Sequence, residues 1–127
     1  MVQQISASEA FKILSEDQTA ILVDVRTQQE WQQGVPKIAK SVFLSWRFRP
    51  DMDINAEFTD ILQNEVPDLT TNIFFLCAAG ARSFESAVIF EDLGYRNCYN
   101  IIDGFNGNKF GIGWQNNNLP WENIDVK

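Results

Sequence analysis

Ala20-Ile21-Leu22-Val23-Asp24-Val25 is an apolar run broken only by Asp24. Runs of that kind belong to strands buried on both faces, which requires a parallel sheet with helices covering either side. Ile73 to Leu76 repeats the pattern, and Val42-Phe43-Leu44 and Cys98 to Ile102 are further strand candidates. Helical signals fall between them. Ser6-Ala7-Ser8-Glu9 is a capping box, with Ile5 placed as a staple against Ala10 and with Ala7, Ala10, Phe11 and Leu14 on one helical face. Thr27-Gln28-Gln29-Glu30 is a second box, opening a short helix that stops near Gly34. Asn55 is read as the N-cap of a helix carrying Phe58, Ile61 and Leu62 inward and ending before Pro67. Ser83 to Leu93 is read as a helix with Ala87, Val88 and Leu93 inward and Gly94 as its C-cap. Ser45 to Ile54 has no clear period and is read as loop. Strands alternating with helices give an α/β domain, expected to be a single one over residues 1–127.

In such sheets the ligand site lies beyond the carboxyl ends of the strands. Asp24 and Cys77 both sit at those ends. Cys77 is followed by Ala78-Ala79-Gly80-Ala81-Arg82 and then by the helical stretch from Ser83. Small side chains let this backbone curl, and Gly80 permits the positive φ that a nest of inward-pointing N–H groups needs. A nest capped by a helix N-terminus attracts an anion, the terminus alone contributing about 0.3–2 kcal/mol. The same setting, with Arg82 nearby, stabilises a thiolate, so Cys77 is expected to react as a nucleophile. The sequence contains no histidine, so this loop must activate its own sulfur. Attack on a sulfane sulfur and attack on phosphorus both fit that chemistry.

Several classes are disfavoured by composition. A formal charge of −7 argues against nucleic acid and anionic membrane surfaces as partners. Lys37, Lys40, Arg47 and Arg49 are read as a solvated face. The N-terminus lacks a signal-peptide pattern and no apolar run approaches spanning length, so a cytoplasmic location is expected. The absence of histidine removes most zinc sites, and two cysteines alone cannot make a tetrahedral thiolate site, so no metal is expected. Cys98 is read as a buried, inert thiol.

With its motifs taken together, the chain resembles the single-domain rhodanese-like sulfurtransferases. The resemblance rests on Leu22-Val23-Asp24-Val25-Arg26, Glu30-Trp31, Cys77-x-x-Gly80-x-Arg82-Ser83, Leu93-Gly94-Tyr95, Tyr99-Asn100, Gly104-Phe105, Trp114 and Leu119-Pro120-Trp121, in that order. It implies a three-layer α/β/α domain whose five-stranded, mainly parallel sheet runs 3-2-4-5-1. It implies that Cys77 carries a persulfide, that the amides of Ala78, Ala79, Gly80, Ala81 and Ser83 form the anion cradle, and that Arg82 closes the loop. The activity implied is transfer of a sulfane sulfur, from thiosulfate or another small sulfur-containing anion, to a thiol, protein or cyanide-type acceptor, with no cofactor. A non-catalytic sulfur-carrier or binding module is the alternative. A phosphatase or arsenate reductase is a third reading, disfavoured because the related phosphatases hold one residue more before their arginine.

Two departures bear on substrate. Ala78 stands where many relatives carry Arg or Lys, which removes a cation from the mouth and counts against the thiosulfate dianion. Gly34-Val35-Pro36-Lys37-Ile38-Ala39 replaces the Gly-His-Ile-Pro-Gly-Ala common after the Glu-Trp helix. Asp24 is read either as orienting the loop by accepting its amides or as pairing with Arg26, and Arg26 and Glu30 are placed to pair as scaffold. Arg82 is read as mainly structural, bonded to backbone carbonyls. Trp46 and Arg47 are candidates for the pocket mouth.

Overall fold

Five parallel strands form the central sheet of the computed structural model, which describes residues 1–124. In chain order they are β1 (Gln3–Ile5), β2 (Ile21–Asp24), β3 (Ser41–Phe43), β4 (Asn72–Leu76) and β5 (Asn97–Ile101). Their spatial order is β3-β2-β4-β5-β1, and every pairing is parallel, as the resemblance implied. The helices are α1 (Ala7–Glu16), α2 (Gln28–Trp31), α3 (Phe58–Glu65), α4 (Ala81–Asp92) and α5 (Gly113–Asn116). Two short antiparallel ladders lie apart from the sheet, Val35–Pro36 with Trp121–Glu122 and Arg47–Phe48 with Asp53–Ile54.

Alternation along the strands divides the core in two. Val23, Ile73, Phe75 and Cys98 face one side, where Phe58 and Leu62 of α3 and Ala87 and Phe90 of α4 cover them. Leu22, Phe74, Leu76 and Ile101 face the other, under Ala7, Ala10 and Leu14 of α1 and Trp114 of α5. The two central strands are therefore apolar at successive positions because both faces are dry. Cys77 continues the alternation of Ile73 and Phe75, so its side chain turns to the α3/α4 side.

Both capping boxes form, with Ser6 accepting from the Glu9 amide and Thr27 from the Glu30 amide. Elsewhere the boundaries shift. Helix α4 begins at Ala81, two residues ahead of the expected Ser83, because Gly80 at φ 97° caps it in the left-handed region. Its inward residues are Ser83, Ser86, Ala87 and Phe90, while Leu93 is 43% exposed. Gly94 does end it, at φ 103°. Asn55 sits two residues before the N-cap, which is Glu57; its Oδ1 accepts from the Glu57 amide and its Nδ2 holds the Ser45 carbonyl. Ile61 faces solvent rather than the core. The Ser45 to Ile54 stretch, read as loop, contains the second small ladder, closed by a turn with a cis Arg49–Pro50 bond. No helix among the described residues is long and apolar enough to cross a membrane.

Candidate active site

Strands β2 and β4 are neighbours with Asp24 opposite Leu76, and the Val25 amide donates to the Leu76 carbonyl at 2.8 Å. That register brings the carboxyl ends of both strands together, and Asp24 and Cys77 with them. Cys77 is 1% exposed, below the exposed Ala79 and Ala81 of its own loop. Its Sγ accepts from the Gly80 N–H at 3.1 Å and lies 3.2 Å from Ser83 Oγ.

The loop curls as it does because its carbonyls are pulled outward one after another. The Phe105 amide holds the Cys77 carbonyl at 2.9 Å, and the Asn106 amide holds that of Ala78 at 3.0 Å. Asn108 Nδ2 holds the Ala79 carbonyl at 2.9 Å, and Asn100 Nδ2 the Gly80 carbonyl at 3.1 Å. In a trans peptide the C=O and N–H point in opposite directions, so carbonyls drawn out leave amides turned in. Two glycines permit this approach. A Cβ on Gly104 would lie 2.3 Å from the Ala78 carbonyl oxygen, and one on Gly80 would lie 2.6 Å from that of Ile102.

A buried polar chain runs from the sulfur to β1. Ser83 Oγ donates to Asn100 Oδ1 at 2.5 Å, and Asn100 Nδ2 donates to the Gly80 carbonyl and to Gln4 Oε1. The Gly80 carbonyl can only accept, which fixes the orientation of the Asn100 amide. The single hydroxyl proton of Ser83 is then engaged by Asn100, and Ser83 Oγ meets the sulfur with a lone pair. Ser83 then has no proton to give the sulfur.

Charges around the site are paired. Arg82 meets Glu30 at two points, Nη1 to Oε1 at 2.7 Å and Nη2 to Oε2 at 2.9 Å. Burial pushes the Glu30 carboxyl up, but the Arg82 bonds and the Thr27 amide outweigh it and hold the group down at about 2. The Arg82 guanidinium is raised further above its usual range by the same bond to Glu30. The expected bonding of Arg82 to backbone carbonyls is thus replaced by a carboxylate clamp. Nor do Arg26 and Glu30 pair. Arg26 is engaged by Asp24, with Nε and Nη2 on the two carboxylate oxygens at 3.0 and 2.8 Å, and Nη2 also holds the Gly34 carbonyl. Of the two readings for Asp24 the pairing with Arg26 is the one realised; the one amide it accepts is that of Arg26 itself, not of the loop. Arg26 lies 4.2 Å over the ring of Phe105, the residue whose amide braces Cys77. Asp24 and Arg26 are both buried and support the loop from below.

Trp46 packs in the core against Phe58 rather than opening to solvent, and its indole N–H donates to Glu85 Oε1. Arg47 pairs with the same carboxylate at 3.2 Å. Burial pushes the Cys98 thiol up to about 12, which disfavours its thiolate. Sequence reasoning missed Asn108, Asn100 as a loop brace, and Asp103, whose carboxylate ties the Ala7 amide of α1 to the Gly113 amide of α5. The Gly- and Asn-rich character of the stretch after Gly104 was the visible signal for the first.

Residues 6–109 match the family described as the rhodanese-like domain. The uncharacterized protein RC0915 of Rickettsia conorii is 45% identical over 125 residues, covering 95% of this chain and 98% of the relative. A sulfurtransferase of Allochromatium vinosum is 26% identical over 120 residues, covering 94% of each chain. Among solved structures, that of Rv0390 from M. tuberculosis superposes with a TM-score of 0.85 at 31% identity, covering 97% of this chain and 98% of that one.

Proposed function

The chain belongs to the rhodanese-like domain family, and from that premise we propose that it is a sulfurtransferase in which Cys77 accepts and passes on a sulfane sulfur. The observation that carries this reading is the placement of Cys77 Sγ at the end of β4 with the Gly80 N–H aimed at it. In the first half-reaction the Cys77 thiolate attacks the outer sulfur of a donor R–S–S⁻. The S–S bond of the donor breaks, R–S⁻ leaves with the bonding pair, and Cys77–S–S⁻ remains. In the second, an acceptor thiolate attacks the terminal sulfur and Cys77 leaves as the thiolate. No net oxidation occurs. The loop amides of Ala78 to Ser83 serve both steps by stabilising the anionic sulfur.

Arg82 and Glu30 neutralise each other, and Ala78, Ala79 and Ala81 bring no charge to the loop. That favours a monoanionic donor, an organic persulfide or a singly protonated polysulfide, over the thiosulfate dianion, and a thiol or protein acceptor. The shorter loop and the engaged guanidinium speak against phosphate. The acidic chain fits neither nucleic acid nor an anionic membrane as partner.

Intact mass after incubation with inorganic polysulfide, thiosulfate or mercaptopyruvate tests the proposal. The expected result is a gain of one sulfur atom on the wild type, absent in Cys77→Ser. Failure with every donor would overturn it. A stable persulfide that never turns over would instead identify a sulfur carrier.

A further inference from the structure

Asn108 is an exposed residue of the segment after β5, well outside the Cys77 loop in sequence. Its side chain makes three bonds. Nδ2 donates to the carbonyls of Ala79 and Ile102, both at 2.9 Å, and Oδ1 accepts from the Phe110 amide at 2.8 Å. Its backbone amide is tied as well, to the Gly111 carbonyl at 2.8 Å. The side chain is therefore held on a closed turn before it reaches the loop.

The Ala79 carbonyl and the Gly80 N–H belong to one rigid peptide unit. Asn108 grips one end of it at 2.9 Å, and Cys77 Sγ lies at the other end, 3.1 Å from the nitrogen. Turning that plane breaks both bonds together. We propose that Asn108 is a positioning residue for Cys77, which by holding the Ala79 carbonyl from outside aims the Gly80 N–H at the sulfur. This rests on the reading of Cys77 as the reacting sulfur. The Gly80 amide is the one donor aimed at that sulfur among the described residues, because the Ser83 proton is held by Asn100. Its orientation therefore governs the one hydrogen bond made directly to Sγ, while the other loop amides are left to the outer sulfur of a persulfide.

Two variants separate the donor from the turn. Asn108→Ala removes all side-chain bonds, whereas Asn108→Asp keeps an acceptor for Phe110 but has nothing to offer the Ala79 carbonyl. Asn97→Ala is the control, since Asn97 Nδ2 makes the same kind of exposed bond, to the Thr70 carbonyl, at the amino ends of β4 and β5 and so at the far end of the sheet from the sulfur. Three readouts apply: the amide proton shift of Gly80, the rate of Cys77 alkylation by iodoacetamide at fixed pH, and the rate of persulfide formation from inorganic polysulfide.

In both Asn108 variants the Gly80 proton is expected to move upfield and both rates to fall roughly three- to ten-fold, less than the loss of a whole hydrogen bond to a charged group. The polysulfide concentration for half-maximal rate stays unchanged, and Asn97→Ala behaves as wild type. Wild-type alkylation in Asn108→Asp, or equal slowing in Asn97→Ala, overturns the assignment. Alkylation does not depend on sulfur transfer. A wild type that never forms a persulfide, yet shows slower alkylation in the Asn108 variants, would defeat the sulfurtransferase reading and leave the positioning role standing.

Discussion

Arg82 and Glu30 face each other in a two-point ion pair that joins α4 to α2 across 52 residues of sequence. The guanidinium that opens the helix above Cys77 is thereby fixed in direction and cancelled in charge. Loop geometry and site electrostatics hang on the same contact.

Glu30 is expected to make stability depend on pH in acid. Its carboxyl is held at about 2 against an ordinary value of 4.5. A lowered folded-state value means the stabilisation is present above the unfolded value and is lost as pH falls from about 4.5 towards 2. Discounted for partial exposure, it amounts to about 2 kcal/mol. Urea denaturation of the wild type and Glu30→Gln should give stabilities that differ at pH 7 and converge by about pH 2. A constant gap over that range would contradict the pairing.

Glycine substitutions are expected to divide sharply. Gly104→Ala drives a Cβ to 2.3 Å from the Ala78 carbonyl oxygen, so the brace behind Cys77 must shift. A loss of about 3 kcal/mol or more, with sulfur transfer abolished, is expected. Gly94→Ala meets nothing nearer than Leu69 Cδ1 at 3.8 Å and suffers only its backbone conformation, at φ 103°. About 1 kcal/mol with normal activity is expected there. Thermal melts alongside transfer assays compare the two.

Ser83 and Asn100 are expected to be energetically coupled. Ser83→Ala strands the Asn100 carbonyl, and Asn100→Leu takes the acceptor from the Ser83 hydroxyl and leaves the Gly80 carbonyl only the Phe84 amide, at 3.3 Å. Each loss should cost about 1–3 kcal/mol, with a coupling of about 1 kcal/mol or more in the double-mutant cycle. Additive effects would mean the two do not share a proton.

The two cysteines should differ completely in reactivity. Cys98 is buried with its thiol pushed up to about 12. Native protein treated with iodoacetamide at pH 8 should gain one adduct, absent in Cys77→Ser, and denatured protein two. Labelling of Cys98 in the native state would count against this assignment.

Local chemistry was readable in the sequence and remote chemistry was not. Both capping boxes lie within four residues and could be recognised directly. The apolar runs of β2 and β4 needed only their composition, whereas the strand order came from the family resemblance. Cys77, Gly80 and the five small or cationic residues around them were visible as a loop. Its partners were not, because Glu30, Asn100 and Asn108 reach it from other elements through chain folding. The start of α4 was misplaced because the boundary is set by one left-handed glycine rather than by a side-chain cap. Leu93 was read inward from its apolarity alone, but Phe90 and Tyr95 already fill that part of the core.

Cys77, the proposed reacting residue, is the position just past the end of β4 on the side that carries Ile73 and Phe75. A one-residue slip in that strand would turn it to the opposite face, beneath α1 and α5. Core packing thus acts as a proofreader for chemistry. A molecule that has threaded β4 wrongly between its neighbours no longer sets Cys77 under the Gly80 N–H, so on the proposed function its share of any preparation would register as missing persulfide, whereas its thiol would still alkylate.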